Sequence, residues 1–402
     1  MAISKSTRED LERLAAIERG SASDGESRAA DMLAEMMRAR GLWPTLERER
    51  AAPGFWPSTG LAAAAGTLAG LLARRSRAAG AALAALAAGL MADDVDNGPQ
   101  LLRRALPRRG TTNVLGWAGD PHARETVVLV AHHDAAHTGL LFHPGLVPLV
   151  NRLAPGWYDK QTTSTQTGRL LVAGPALVAF ASALGLPRLR RFGTVWSAVT
   201  TALLADVARS PVVPGANDNL SAVATLLAVA ERLAEQPVKG VRVLLLSTGS
   251  EESFMEGMRG FVARHRDELD PARTRFVALE CVGSPHLLLM EGEGMLRMRD
   301  HDASLREELQ AAADDAATPL WRGLRLGAGA TDALPALKAG YRAACLAGCN
   351  ELKVPANYHW PSDVPENICW ETIDAAATVA VSLIRRIANA EQTSATPAPA
   401  AS

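Results

Sequence analysis

Histidine and carboxylate side chains gather in five short segments of the sequence, and these residue types are the usual ligands of catalytic zinc. The segments are His132-His133-Asp134, Asn217-Asp218-Asn219, Glu251-Glu252, Glu280 and His359. Two zinc ions about 3.5–4 Å apart can share a bridging carboxylate. The sequence contains no P-loop, no nucleophile elbow and no dinucleotide-binding glycine motif after a strand that would compete with this interpretation. The set therefore predicts a site for a pair of zinc ions.

Three of these segments lie at the carboxyl ends of predicted buried strands, which are short and rich in Val and Leu. The predicted strands are 45–50, 126–131, 241–247, 275–281, 286–291 and 342–347. The predicted helices after the first strand are 220–234, 256–266, 304–317 and 367–390. In open α/β sheets, ligands bind beyond the carboxyl ends of the strands. We therefore expect His132, Glu251 and Glu280 to converge at one edge of a sheet.

The alternation of strands and helices predicts an α/β fold, with a mixed, mostly parallel sheet covered by helices on both faces. Two uncharged insertions interrupt this pattern, each divided by a short basic segment, Arg74-Arg75-Ser76-Arg77 or Arg188-Leu189-Arg190-Arg191. They predict two inserted apolar helical hairpins with basic tips. The predicted organisation is an N-terminal helical part of the catalytic domain at 1–50, a hairpin at 51–92, the first part of the domain proper at 93–168, a second hairpin at 169–208, its second part at 209–390 and a disordered tail at 391–402.

The order and spacing of the candidate ligands resemble those of the M28 zinc peptidases, a group that includes many aminopeptidases and the glutaminyl cyclases. The resemblance is carried by His132-x-Asp134, Gly215-Ala216-Asn217-Asp218-Asn219, Glu251-Glu252, Glu280 and His359. It covers roughly 20–50 and 111–390, interrupted by the two hairpins. It implies a zinc aminopeptidase-like fold and a metallopeptidase that hydrolyses the amino-terminal bond of a peptide substrate.

The resemblance also implies a role for each metal ligand. Asp218 would bridge two zinc ions. One ion would be completed by His132 and Glu280, and the other by Glu252 and His359. Many M28 aminopeptidases have Asp where this chain has Glu280, which is one methylene longer. The presence of His132 favours two metals over the single zinc of the cyclases.

Two further residues receive roles from the same resemblance. Glu251 would be the general base, taking a proton from the metal-bound water and delivering it to the leaving amine. Asp134 would orient His132 by accepting the other ring proton. Two alternatives stay open: cyclisation or deacylation of amides on the same fold, and a non-catalytic M28-like domain used as a membrane binding module. The presence of Glu251 argues against the second.

The hairpins leave the relation to a membrane open. A spanning helix needs about 20 apolar residues, and the four uncharged runs contain 23, 15, 18 and 14. The hairpins could span a bilayer, dip into one leaflet or form a soluble cap. We expect membrane association, with the basic tips in the cytoplasm and the catalytic domain on the extracytoplasmic side. A soluble cytoplasmic protein is the alternative.

Composition narrows the partners. Lys and Arg total 42 against 43 Asp and Glu, for a net charge of -1, so no nucleic acid is expected. The four cysteines form no C-x-x-C pair, which indicates neither a zinc ribbon nor a disulfide framework. The first 19 residues are polar and lack an apolar segment, so a cleaved secretory signal is not expected.

Overall fold

The computed structural model describes residues 2–395, and a seven-stranded sheet lies at the centre of this part of the chain. The strands are β1 Thr45–Ala51, β2 Arg109–Gly119, β3 Thr126–His132, β4 Arg242–Thr248, β5 Thr274–Glu280, β6 His286–Leu289, β7 Gly292–Glu293, β8 Arg299–Asp300, β9 Arg325–Leu326 and β10 Arg342–Cys349. The central sheet has the order β1-β2-β4-β3-β5-β10-β6, and β7, β8 and β9 form a small second sheet.

Most strands of the central sheet point in one direction. Strands β4, β3, β5 and β10 are parallel to one another. Strand β2 is antiparallel to β4, and β1 is antiparallel to β2, so β1 points the same way as the parallel group. Only β2 and the edge strand β6 run the other way. The predicted mixed, mostly parallel sheet is confirmed.

Helices cover both faces of the sheet, as predicted. They are α1 Lys5–Ala15, α2 Asp24–Ala39, α3 Trp56–Leu72, α4 Arg77–Val95, α5 Leu101–Ala105, α6 Leu146–Leu153, α7 Pro155–Tyr158, α8 Thr167–Leu184, α9 Pro187–Val207, α10 Ser221–Glu235, α11 Glu256–Arg264, α12 Ala303–Asp315, α13 Ala333–Lys338 and α14 Trp370–Ala395. Val127 and Leu129 of β3 pack in the core beneath α1, α2, α10, α12 and α14. Val128 and Val130 pack on the opposite face with α11 and α13. This alternation follows from the two-residue period of a strand.

Strand β2 was not among the predicted strands, because its first half is polar. Its Thr111, Thr112 and Asn113 are buried all the same. The Asn113 side chain accepts a hydrogen bond from the N–H of Gly249 at 3.1 Å and donates one to the carbonyl of Gly257 at 3.0 Å. The polar half of β2 thus supports the segment that carries Glu251 and Glu252.

The two hairpins pack against each other as one four-helix bundle of α3, α4, α8 and α9. Both tips lie at the same end: Arg77 donates to the carbonyls of Ser182 and Ala183, and Arg190 donates to that of Ala73. Helices α4 and α8 are long and apolar enough to cross a membrane, by length and composition, and a third of each apolar window is buried in the structure.

The hairpin helices differ slightly from the predicted hairpin boundaries. They span 56–95 and 167–207, against predicted segments of 51–92 and 169–208. Helix α14 continues to Ala395 and so enters the segment predicted as a disordered tail. The rest of that tail, 396–402, lies outside the described residues.

Candidate active site

The candidate ligands meet at the carboxyl edge of the central sheet. His132 is the last residue of β3, and Glu280 is the last residue of the neighbouring strand β5. Glu251 and Glu252 begin the short helical turn Glu251–Ser253 just after β4, on the other side of β3. Loops that precede α10 and follow β10 bring in the remaining two residues, Asp218 and His359.

Two clusters of donor atoms share Asp218. In the first, Nε2 of His132 lies 3.3 Å from Oδ1 of Asp218 and 3.6 Å from Oε1 of Glu280. In the second, Nε2 of His359 lies 3.1 Å from Oδ2 of Asp218 and 3.2 Å from Oε1 of Glu252. The structure therefore brings all five predicted ligands together and turns one oxygen of Asp218 toward each cluster.

The donor set fits zinc on two observations. In a tetrahedral site with bonds of about 2.0–2.1 Å, neighbouring ligand atoms are about 3.3 Å apart, and the distances above bracket that value. Oε1 of Glu252 is buried, and although Nε2 of His359 lies 3.2 Å away, no group among the described residues forms a well-aligned hydrogen bond to it. A buried carboxylate oxygen without a donor is costly, and a bound cation would satisfy it.

The electrostatics of the site also favour a cation. Burial raises the pKa of Glu251 well above its usual range, and Glu280 and Glu252 add to that effect. Burial raises the pKa of Glu280 to about 7. Burial also opposes the ionisation of Asp218, but hydrogen bonds from His132 and His359 keep its pKa below the usual range. Divalent metal would compensate the carboxylate charge that is concentrated here.

Asp134 connects two of the segments. Its carboxylate accepts the N–H groups of Glu251 and Glu252 at 3.0 and 3.2 Å, and the hydroxyl of Ser21 donates to it at 2.6 Å. Nδ1 of His132 lies 3.1 Å from the backbone carbonyl of Asp134 and 3.3 Å from its carboxylate. Asp134 therefore lies next to His132 and also fixes the turn that presents Glu251.

Glu251 lies beside the two clusters but belongs to neither of them. Its Oε2 is 3.9 Å from Nε2 of His132, and its side chain is largely buried. A third grouping of possible metal donors combines His132, Glu251 and Glu252. The turn that presents the two glutamates is entered through Ser250, which adopts the left-handed conformation at φ 54° and donates its hydroxyl to Glu26 at 2.8 Å.

The loop that carries Asp218 is fixed by groups that the sequence did not single out. The carboxylate of Asp363 accepts the N–H groups of Asn217 and Asp218 at 2.6 and 3.1 Å. The guanidinium of Arg19 is fully buried and donates to the carbonyls at 214 and 215, at 2.5 and 2.7 Å. These residues are single polar groups in loops, so neither spacing nor periodicity distinguishes them.

Asn219 ties the same loop to the end of β5. Its amide donates to the carbonyl of Leu279 at 2.9 Å and accepts the N–H of Cys281 at 3.0 Å. Glu280 lies between these two residues. The position of Asp218 relative to Glu280 is thus set by backbone hydrogen bonds on both sides of the glutamate.

Aromatic rings hold His359 in place. The Phe142 ring meets the imidazole edge-on at a centroid distance of 4.4 Å, and the Tyr358 ring is stacked on it at 3.8 Å. Two further histidines that follow His132 in the chain contact groups outside the ligand clusters. His133 contacts the hydroxyl of Ser247, and His137 contacts the carbonyl of Ser210.

The second half of the chain matches the model of a known protein family. Residues 200–384, which include four of the five candidate ligands, match the model of peptidase family M28. This part of the chain is therefore similar to peptidase family M28. No curated protein matches it in sequence.

Solved structures of similar fold include aminopeptidases and a glutaminyl cyclase. An aminopeptidase from Aneurinibacillus sp. strain AM-1 is 14% identical, with a TM-score of 0.54 over 95% of this chain and 93% of that one. A zinc aminopeptidase from Bacillus subtilis, BSAP, is 14% identical, with a TM-score of 0.54 over 94% of each chain. The Bacteroides thetaiotaomicron glutaminyl cyclase is 13% identical, with a TM-score of 0.54 over 96% of this chain and 98% of that one. The fold is that of the zinc aminopeptidases and the cyclase.

Proposed function

We propose that this M28 peptidase is an aminopeptidase that holds two zinc ions and removes the amino-terminal residue of a peptide. The observation that carries the proposal is the position of Asp218, whose two oxygens lie 3.3 Å from His132 and 3.1 Å from His359. A carboxylate shared between two ligand clusters is what a dinuclear site requires. The resemblance to zinc aminopeptidase structures supports the same activity.

The residues around the clusters supply the proton transfers. Zinc held by the five ligands would polarise the substrate carbonyl and lower the pKa of water. Glu251 accepts a proton from the attacking water and passes it to the nitrogen of the leaving amine. One water is thereby added across the C–N bond, giving a carboxylic acid and an amine. Asp134 is a positioning residue, because it holds His132 and the turn that presents Glu251.

Metal analysis of the purified full chain tests the dinuclear site. We expect two zinc equivalents per chain, and one after His132→Ala. His133→Ala is the matched control, because His133 is also buried but contacts Ser247 and belongs to neither cluster. One tight equivalent that is insensitive to His132→Ala would contradict the dinuclear proposal.

Substrates separate the activities that this fold supports. Aminoacyl p-nitroanilides with a free amino group should be hydrolysed, and their N-acetyl counterparts should not. Release of acetate from the N-acetyl compounds would instead establish a deacylase, and ring closure of glutaminyl amides would establish a cyclase. Zinc binding without turnover of any of these compounds would leave the non-catalytic binding module.

We propose in addition that the four-helix bundle anchors the chain in a membrane. Small residues lie at the helix contacts: a Cβ on Gly66 would touch Pro175, and one on Gly70 would touch Thr194. Large apolar side chains face outward, including Leu68, Leu86, Phe180 and Phe192. Transmembrane helices pack in this way, with small residues at interfaces, whereas a bundle in water buries its large apolar side chains.

The dimensions and charges of the bundle support the same proposal. Its helices have 17, 19, 18 and 21 residues, or about 25–32 Å at 1.5 Å per residue, against about 30 Å of hydrocarbon. The tips carry Arg74, Arg75, Arg77, Arg188, Arg190 and Arg191. Under the positive-inside rule the tips face the cytoplasm, and the catalytic sheet at the other end is extracytoplasmic.

Fractionation tests the anchor. We expect the full chain to sediment with membranes, to stay there in high salt, which screens surface charge, and to be released by detergent. Protease added outside intact cells should cleave the catalytic part and spare the tips. Recovery of the chain in the soluble fraction without detergent would contradict the anchor and favour the soluble cap.

A further inference from the structure

An apolar cleft with a volume of about 400 Å³ rises from the ligand clusters along the bundle. Its floor includes Glu251, Glu252 and His359. Aromatic rings from three different segments, those of Phe55, Phe142 and Phe254, also line the cleft, and the Phe142 ring lies against His359. The reactive end of the cleft is therefore polar, and the rest of it is apolar.

One wall of this cleft belongs to the hairpin helices. Helix α9 contributes Trp196, Val199, Thr200 and Leu203, whose spacing of three or four residues places them on one helical face. Helix α8 contributes Leu170, and the indole N–H of Trp196 donates to its carbonyl at 2.9 Å, which joins the two helices. From Leu203 to Trp196 this wall is about 10 Å long, at 1.5 Å per residue.

The wall is apolar surface that the bundle itself leaves uncovered. Val199 is 53% exposed and Leu170 is 45% exposed, although both lie beside the cleft. None of the residues that α8 and α9 contribute to the cleft is charged. A ligand with an apolar chain would pack against this surface while its polar end reached the ligand clusters.

We propose that this wall binds a long, unbranched apolar chain on the acyl side of the scissile amide, an inference that rests on the proposed amide hydrolysis. An extended hydrocarbon advances about 1.25 Å per bond, so 10 Å accommodates about eight carbons. The substrate class is an amide whose amino-terminal residue carries an alkyl side chain of that length. Hydrolysis adds one water across its C–N bond and releases the amine.

The test compares three p-nitroanilides, those of alanine, norleucine and 2-aminodecanoic acid, on the full chain in nanodiscs. We expect kcat/KM to rise from the first to the last, by up to about fourfold for each methylene that contacts the wall. Val199→Trp fills the middle of the wall and should cut the ratio of 2-aminodecanoyl to alanyl kcat/KM by about tenfold or more. Val195→Trp is the matched control, because Val195 is a half-exposed valine of the same helix that lies outside the cleft.

Binding of free 2-aminodecanoic acid and of alanine tests the wall without turnover. It is measured by calorimetry on the unmodified chain and on the Val199→Trp and Val195→Trp variants. Equal kcat/KM for short and long substrates, or equal effects of the two tryptophans, would overturn the inference while leaving amide hydrolysis intact. Absence of all hydrolysis, with the long amino acid still bound more tightly and weakened only by Val199→Trp, would refute the proposed function and keep the binding site. Cleavage of decanoyl p-nitroanilide, which lacks the amino group, would keep the wall and move the activity to deacylation.

Discussion

The central sheet encloses its large apolar side chains, such as Leu129, Leu245 and Phe276, whereas the four-helix bundle places Leu68 and Leu86 on its surface. The sheet gains stability by removing those side chains from water. The bundle brings Gly, Ala, Ser and Thr together at its helix contacts, which gains close packing but little apolar burial. The two regions therefore present different surfaces, and the proposed membrane anchor would account for the apolar surface of the bundle.

Charged groups are buried at the edge of the sheet, whereas in the bundle they lie near the ends of the helices. At the edge of the sheet, Asp134, Asp218 and Asp363 are buried and hydrogen-bonded to other segments. In the bundle, charged side chains are concentrated at the basic tips and near the opposite end. Chemistry thus resides where the sheet buries polar groups, and the bundle supplies apolar surface next to it.

The largest effect is expected from a change at the sheet edge that leaves the fold alone. Glu251→Gln keeps the size of the side chain but cannot accept a proton, so kcat should fall about 10²–10⁴-fold. Zinc content should stay the same, because Glu251 completes neither of the two clusters that share Asp218. Steady-state kinetics and elemental analysis of the same preparation check both points. Turnover close to that of the unmodified protein would mean that another group is the base.

A charge on the outside of the bundle should have the next largest effect. Leu86 lies in the middle of α4 and is 59% exposed. In water, Leu86→Asp should change the free energy of unfolding by no more than about 0.5 kcal/mol. At the centre of a bilayer an Asp costs about 2.5–3.5 kcal/mol, so the yield of membrane-inserted protein should fall strongly.

Leu46→Asp, the same change on the edge strand β1, is the control and should leave insertion unchanged. The membrane-pelleted fraction of each variant is measured by immunoblot against that of the unmodified chain. If both variants insert as well as the unmodified chain, the outer face of α4 lies in water and the contrast between the two regions disappears.

The sequence indicated the candidate site residues, but it did not indicate the groups that support them. His132 and Glu280 follow from strand ends, since an apolar run that ends in a ligand-type residue is visible in one dimension. Strand β2 is not visible in this way, because Thr111, Thr112 and Asn113 interrupt its apolar pattern. The burial of Asn113 is explained by its hydrogen bonds to Gly249 and Gly257, on either side of Glu251, which the sequence does not reveal.

The supporting groups show the same limit. Arg19 and Asp363 are far from Asp218 in sequence, and each is an isolated polar residue in a loop. Their roles depend on hydrogen bonds that only the folded chain forms. The hairpins were visible as uncharged segments. Their assembly into one bundle beside the cleft depends on contacts between two insertions whose first residues, 56 and 167, are 111 positions apart.

A methyl group inside the bundle tests its close packing. A Cβ on Gly70 would lie 1.9 Å from Oγ1 and 2.9 Å from Cβ of Thr194, so Gly70→Ala must push α3 and α9 apart. Such overpacking costs about 1–3 kcal/mol. Gly89→Ala is the control, because a Cβ there meets nothing within 4 Å, and alanine favours a helix over glycine by about 0.8–1 kcal/mol. Thermal unfolding should therefore shift in opposite directions, and a downward shift for both would mean that packing at Gly70 is not special.

The smallest effect is expected from a change at Ser21, which lies two residues before Ser23, the N-cap of α2. The hydroxyl of Ser21 donates to Asp134 at 2.6 Å, but Asp134 keeps two backbone donors without it. Ser21→Ala should weaken zinc binding by at most about tenfold, the lower end of the range for groups behind a metal ligand. Ser23→Ala removes the N-cap of α2, whose hydroxyl accepts the N–H of Glu26 at 3.1 Å, and should cost about 1 kcal/mol of unfolding free energy with zinc affinity unchanged. Competition with a chelator gives the affinity, and chemical denaturation gives the stability. A weaker zinc affinity in both variants, in proportion to their lost stability, would show that the hydroxyl of Ser21 acts on the fold as a whole and not on the site through Asp134.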